Sequence, residues 1–310
     1  MQLTSISWAD CTWGPIRGCS RVSAGCARCY GARMASRFCG VGQPFEGFAK
    51  DGNWTGKVAL IPEKLNEPLR MRKPRRIFAN SMSDLFHENL SDHAIDRVFA
   101  VMALAHQHTF MVLTKRPARM RAYLDLSTDN REEAVGRQAL NESAGANPGL
   151  IELPLPNVQL GVSVEDQPTA DERIPLLLQT PAAVRFVSFE PALGPTDFTP
   201  WLRIAWQCSG CRNFFPDPCL KVCPKCGRED YWTGSHEFNP PGGQRGSGID
   251  WVILGGETGP GARPMDPAWA RSVRDQCKAA GVPFFFKQLA RNEKTPVDLM
   301  IREFPREAKA

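Results

Sequence analysis

VQLGVSVEDQPTADERIPLLLQTPAAVRFVSFE (158–190) holds one complete strand–helix–strand unit. Its two ends, VQLGVSV (158–164) and VRFVSFE (184–190), are β-rich runs with little polar alternation. Runs of that kind fit strands buried on both faces of a parallel sheet. Between them, residues 168–179 have helical spacing, and Pro168 stands where a first-turn proline is tolerated. The same rhythm extends in both directions. Strands are expected at SISW (5–8), RRIFANS (75–81), TFMVLTK (109–115), DWVILGGE (250–257) and PFFFKQ (283–288). Helical patterns fall at 91–106, 117–126 and 266–280, with Ser91 as an N-cap. Six or seven such units predict an α/β chain folded as a (β/α) barrel, complete or partial, rather than an open sheet.

Two stretches interrupt the rhythm. Residues 127–150 are polar and read as a surface excursion. Residues 202–249 contain five cysteines and end in the Pro/Gly-rich NPPGGQRGSG, so they read as a small subdomain inserted into a barrel made of 1–201 and 250–310. That subdomain is expected beside the barrel mouth.

Polar residues follow the apolar core of nearly every strand. They are Asn80, Ser81, Ser83 and Asp84; Lys115 and Arg116; Ser163 and Glu165; Glu190; Gly255, Gly256 and Glu257; and Lys287 with Gln288. Barrel enzymes build their sites at the carboxyl ends of strands. Glu190, Glu257, Lys115 and Lys287 are therefore the expected catalytic groups. Buried salt bridges, such as Lys115 or Lys287 with Glu190 or Glu257, are the competing role for the same residues.

Eleven cysteines in a chain of ordinary globular composition, 42% hydrophobic and 23% charged, call for metal or redox chemistry in a reducing compartment. Cys19, Cys26 and Cys29 follow the first strand in GCSRVSAGCARCY, and three thiolates can hold three irons of a cubane while leaving the fourth open. Zinc on the same three, with Cys11 or Cys39 as fourth ligand, fits the spacing equally well. Cys208-Ser-Gly-Cys211 and Cys223-Pro-Lys-Cys226-Gly form two CxxC knuckles, which favour a tetrahedral zinc site over an auxiliary iron–sulfur cluster. Cys219 is a fifth thiol there, and lone Cys277 reads as a small core residue. The five histidines show no metal-hydrolase spacing, which leaves a zinc hydrolase without a ligand set.

The segment SISWADCTWGPIRGCSRVSAGCARCYGARMASRF, with FANSMSDLFH (78–87), VLTKRP (112–117), GVSVED (161–166), FVSFEPALGP (186–195) and WVILGGETGPGARPM (251–265), resembles a phage- and bacteria-associated family with a three-cysteine motif. That family is similar to distant radical-SAM enzymes. The resemblance implies a radical-SAM-like barrel with a 4Fe–4S cluster on Cys19, Cys26 and Cys29, although six residues rather than three separate the first two cysteines. It also implies S-adenosylmethionine, for which the strand-end residues Asn80, Ser81, Ser83, Asp84, Ser163, Glu165, Gly255 and Gly256 are the expected contacts, although the Gly-Gly-Glu that typically follows the second strand comes here only at 255–257. Ser81, Ser83 and Asp84 would serve the methionine end, and Glu257 or Ser163 the ribose. An electron donor such as flavodoxin or ferredoxin would be needed. Because the resembling family occurs in phage, the expected reaction is a radical modification or isomerase-like rearrangement of a base in DNA, one already modified. Arg212, Lys221, Lys225 and Arg228, interleaved with Phe214, Phe215, Tyr231 and Trp232, suit nucleic-acid contact. Lys115, Arg116, Arg119 and Arg121 would extend that surface. A non-catalytic metal-stapled nucleic-acid-binding or redox-sensing protein is the alternative. MQLTSISWAD lacks the basic and apolar regions of a secretory signal, and no apolar run reaches bilayer length, so no membrane contact and a cytoplasmic location, the host's if phage-encoded, are expected.

Overall fold

The structure is a computed structural model that describes residues 2–4, 6–125, 130–143, 149–202, 206–207, 214–215, 248–290 and 293–305. Its centre is an eight-stranded sheet: β1 (Gln2–Leu3), β2 (Cys11–Trp13), β3 (Arg76–Ala79), β4 (Thr109–Thr114), β5 (Val158–Val164), β6 (Val184–Phe189), β7 (Trp251–Leu254) and β8 (Phe284–Phe286). Only β1 is antiparallel, and the seven others run parallel from β2 to β8 in chain order. A doubly wound sheet reverses its strand order at a switch point; this one never does, which is the winding of a barrel wall. The chain is thus mixed α/β with a large parallel half-barrel sheet.

Helices α1 (Tyr30–Ser36), α2 (Asp92–Leu104), α3 (Pro117–Tyr123), α4 (Arg131–Glu142), α5 (Gln167–Leu178) and α6 (Pro267–Ala280) fill the connections. Ser91 caps α2 by accepting from Ala94 N at 3.3 Å, and Asp166 closes a capping box with Thr169 at the start of α5. The opening strand–helix–strand unit is therefore β5–α5–β6.

The inner face of the sheet shows how far it curls. Trp8 places its ring 4.6 Å from Phe78 on β3 and 6.3 Å from Trp251 on β7. Those strands are four steps apart, about 19 Å in a flat sheet. One indole can span them only because the sheet bends around it. Phe304 does the same between Arg76 (4.1 Å) and Phe285 on β8 (5.3 Å). Trp8, Phe304, Met111, Phe186, Ile253 and Phe285 thus plug the amino-terminal end of the half-barrel.

Three expectations change here. The first wall strand is Cys11–Trp13, not 5–8: Ala9 N turns back to Ile6 O, and pairing begins once Asp10 bonds Arg76 through backbone and carboxylate. Cys11 is consequently a buried strand residue whose thiol burial pushes up, with Asp10 adding to the effect. The polar excursion 127–150 contains α4, whose Arg131, Val135 and Ala139 face inward at four-residue spacing. Arg131 is held there by Asp92, Asp96 and the face of Tyr123. Finally, the insertion leaves the sheet at the end opposite the barrel mouth. Leu202 and Ile249 pair as a parallel bridge just before β7, and Asp250 bonds Arg185 near the start of β6. A two-strand ladder, Trp206–Gln207 with Phe214–Phe215, follows the stem. Cys208, Cys211, Cys219, Cys223 and Cys226 lie outside the described residues, as do Arg212, Lys221, Lys225, Arg228, Tyr231 and Trp232.

If Trp8 is the plug, Trp8→Ala should destabilise the chain by about 3–5 kcal/mol. Urea denaturation followed by circular dichroism would read this as a lowered midpoint, and an unchanged midpoint would contradict it.

Candidate functional site

The carboxyl ends of the parallel strands carry the polar residues in a connected network, and the cysteine loop lies across it. Glu165, at the end of β5, is fully buried. Its Oε1 accepts from Ser23 Oγ at 2.8 Å, from Arg173 Nη1 at 3.3 Å and from Lys115 Nζ. Ser23 belongs to the cysteine loop, so this carboxylate ties loop to sheet. Gly25 lies directly above: a Cβ there would stand 2.7 Å from Glu165 Oε1 and 2.7 Å from Lys115 Nζ. Only glycine lets the loop descend this far.

The loop has a second anchor at β7. Glu257 accepts from Arg263 N at 2.8 Å, Nε at 3.0 Å and Nη2 at 2.6 Å, with Arg28 at 3.7 Å. Burial works to raise this carboxyl, but the Arg263 bonds outweigh it and hold it below the usual range. Arg263 also donates to Ala24 O (3.3 Å), and Arg33 to Thr258 O (3.4 Å).

The third ion pair joins Lys287 to both oxygens of Glu190, at 2.6 and 2.7 Å, with Gln288 Nε2 at 3.1 Å. All four expected catalytic residues therefore sit at the strand ends as ion-pair partners. Lys115 pairs with the buried Glu165 and Lys287 with the half-buried Glu190, while Glu257 pairs with arginines. Gly255 and Gly256 are explained by packing: Cβ atoms there would stand 2.9 Å from Gln288 Nε2 and 2.3 Å from Ala290 N.

The expected cofactor residues divide in the same way. Asp84 accepts from Thr114 Oγ1 (2.7 Å), Phe86 N (3.0 Å), Lys115 N (3.1 Å) and Arg116 Nη1 (3.1 Å), leaving it little capacity for a ligand. Asn80 adopts φ 61° and accepts from Ile16 N, and Ser163 donates to Glu190 O at 3.3 Å. Ser81 is half-buried. Three buried atoms at these strand ends have no hydrogen-bond partner: Asn80 Nδ2, Ser83 Oγ and Glu165 Oε2. Unsatisfied buried polar atoms are where a polar ligand gains most.

Around Cys19 a network appears that sequence reading missed. Ser20 Oγ accepts from Arg116 Nη2 (2.6 Å) and bonds His87 Nε2 (2.9 Å) and Glu88 (3.1 Å). His87 Nδ1 accepts from Asn89 N, which puts the ring proton on Nε2. Arg116 Nη1 reaches Cys19 Sγ at 3.8 Å. Neither Ser20 nor Glu88 lies in an apolar strand, and only the fold makes them neighbours. Arg116 is engaged by Asp84 and Glu88, Arg119 by Asp92 and Lys115 by Glu165, so these three do not form a free cationic surface. Arg121 is exposed.

The three loop cysteines are free thiols and partly buried. Cys26 lies in the 3-10 turn Ala24–Arg28 and Cys29 caps α1; three-residue spacing in such a turn aligns side chains on one side. Burial, with Asp84, pushes Cys19 up to about 12. Burial also acts to raise Cys26, but the Lys115 ammonium and hydrogen bonds from Val22 and Ser23 outweigh it and lower the thiol. Cys39 donates to Ser36 O at 3.1 Å, and Cys277 is buried in α6. Among the described residues, no three His, Cys, Asp or Glu side chains converge closely enough to hold a metal ion. No helix of the described residues is long and apolar enough to cross a membrane.

Because the thiolate is the reactive form, iodoacetamide near neutral pH should alkylate Cys26 of metal-free protein before Cys19. Peptide mass spectrometry over time would check the order; equal rates would contradict these environments.

No curated protein and no solved structure matches the chain. A family pattern does, across residues 3–304, which is nearly all of the sheet and its connections. The chain belongs to the family described as "Protein of unknown function (DUF5131)".

Proposed function

We propose that this chain is a radical-SAM-type enzyme that modifies or rearranges a base in DNA, one already altered. The observation that carries the reading is the position of the cysteine loop. Three free thiols on one short loop lie over the carboxyl ends of seven parallel strands, anchored at Glu165 and Glu257. That end of a parallel barrel wall is where enzymes of this architecture work.

Cys19, Cys26 and Cys29 do not converge on a single ion, but a 4Fe–4S cluster takes each thiolate on a different iron, and these three are the residues that would hold it. Three thiolates leave one iron open, and Arg116 beside Cys19 and Lys115 near Cys26 offset part of the negative charge that thiolates bring. When bound, such a cluster supplies one electron to the sulfonium of S-adenosylmethionine. The chain's own residues bind and position. Ser83 Oγ, Asn80 Nδ2 and Glu165 Oε2 are free to bond the polar groups of that molecule. The Lys115–Glu165 pair supports the loop from below. The Lys287–Glu190 pair keeps an ammonium and a carboxylate together at the strand ends, where a proton can be held at Lys287 Nζ or Glu190. Asp84, fully bonded within the protein, orders the end of β4.

The DNA assignment draws its support from the resemblance to a phage-associated family, since the insertion with its basic and aromatic residues leaves the sheet at the end away from the site; a structural zinc on Cys208, Cys211, Cys223 and Cys226 belongs to the same proposal. A base would have to be flipped from its stack to reach the strand ends.

Anaerobic reconstitution should give about four irons per chain bound through these cysteines, plus one zinc. Cys19→Ala, Cys26→Ala or Cys29→Ala should each abolish the iron and leave the zinc. The reduced wild type should cleave S-adenosylmethionine to 5′-deoxyadenosine and methionine. A loaded chain with no affinity for S-adenosylmethionine by calorimetry would overturn the reading and favour a non-catalytic metal protein.

A further inference from the structure

The charge of the chain is not spread evenly. Residues 11–57 hold seven Lys and Arg against two Asp and Glu, and the other 263 residues hold 31 of each. The whole formal charge of +5 therefore resides in the segment bearing Cys19, Cys26 and Cys29. Most of these cations reach the surface: Arg21, Arg28, Arg37, Lys50 and Lys57 are exposed. Arg21 and Arg37 form no ion pair among the described residues.

The same segment exposes apolar surface. Val41 is 95% exposed, Tyr30 63%, Phe38 47% and Val22 45%; they are half of the eight large exposed hydrophobic side chains among the described residues. Helix α1 explains part of the arrangement. Gly31, Ala32 and Ala35 form its buried side, with Trp54 against Gly31, which leaves Tyr30 and Arg37 exposed while Arg33 reaches Thr258 O. Cys29 caps the helix, so Tyr30, its first residue, is the exposed neighbour of a cysteine. A second basic run, residues 70–76, precedes β3 at the opposite end of the sheet and exposes no large hydrophobic residue.

We propose that residues 11–57 are the docking face for an acidic electron-carrier protein. This rests on the iron–sulfur reading above. Positive charge around an apolar centre steers an acidic partner and then lets it exclude water. Valines and a phenylalanine suit a protein surface rather than a phosphate backbone, which is bound by hydrogen-bond donors and cations. A second copy of this chain would be repelled by the same charge. The step is a one-electron transfer: the reduced carrier loses an electron, the centre on Cys19, Cys26 and Cys29 gains it, and no bond or proton changes place. Small, weak, salt-sensitive interfaces are the usual form of such encounters.

The test is a fluorescence-anisotropy titration of a labelled acidic flavodoxin with full-length protein, metal-free and reconstituted, at low and physiological salt. One-to-one binding to both forms should weaken about tenfold or more as salt rises. Arg21→Glu with Arg37→Glu should weaken it at least tenfold at low salt. Val41→Glu should weaken it too, although the charge change there is a single unit. Circular dichroism would verify that these exposed variants fold. Absence of flavodoxin binding, or equal binding by the double variant, overturns the proposal. So does preferential binding of a duplex DNA that the double variant loses. Failure of the iron–sulfur reading shows separately, as flavodoxin binding by a chain that takes up no iron.

Discussion

A buried carboxylate with two cationic partners holds the strand ends and the cysteine loop in one piece. Glu165 stands on β5, the middle strand of the parallel seven, and its oxygen collects Lys115 from β4's end, Arg173 from α5 and Ser23 from the loop. Removing water from such a charge costs several kcal/mol, repaid only when partners are close and well placed. The arrangement is therefore conditional in both directions. The loop can descend because the charge is neutralised, and the charge is tolerated because the loop and helix cover it.

Much of the wall was legible in the residues. Strands buried on both faces cannot alternate, so 158–164 and 184–189 announced themselves, as did Ser91 and Pro117 at helix starts. The first strand was misplaced because SISW has the right residues, yet its indole is required inside the curl. Helix α4 escaped because its inner face is a buried arginine with one valine and one alanine, too little apolar signal for a period. Strand-end polarity could be read locally, but pairing could not. That Lys115 meets Glu165, fifty positions away, and Lys287 meets Glu190, ninety-seven away, depends on which strands become neighbours.

The thiols share their cations with the rest of the site. Arg116 is beside Cys19 and at the same time spans Asp84, Glu88 and Ser20, so it links the loop after β2 to the loops after β3 and β4. Glu88 is held at about 2 by that guanidinium. The charge that faces the sulfurs is thus braced by carboxylates behind it rather than left to solvent.

The Leu202–Ile249 bridge has an evolutionary corollary. Its two ends are neighbours in a ladder, about 5 Å apart, and both are buried in the wall they serve. The bridge holds the two ends of the connection side by side where the sheet needs them. Loop closure grows only with the logarithm of length, so the wall is nearly indifferent to how many residues intervene. This junction is a socket at which lineages could exchange, lengthen or discard a module while the opposite rim stays as it is.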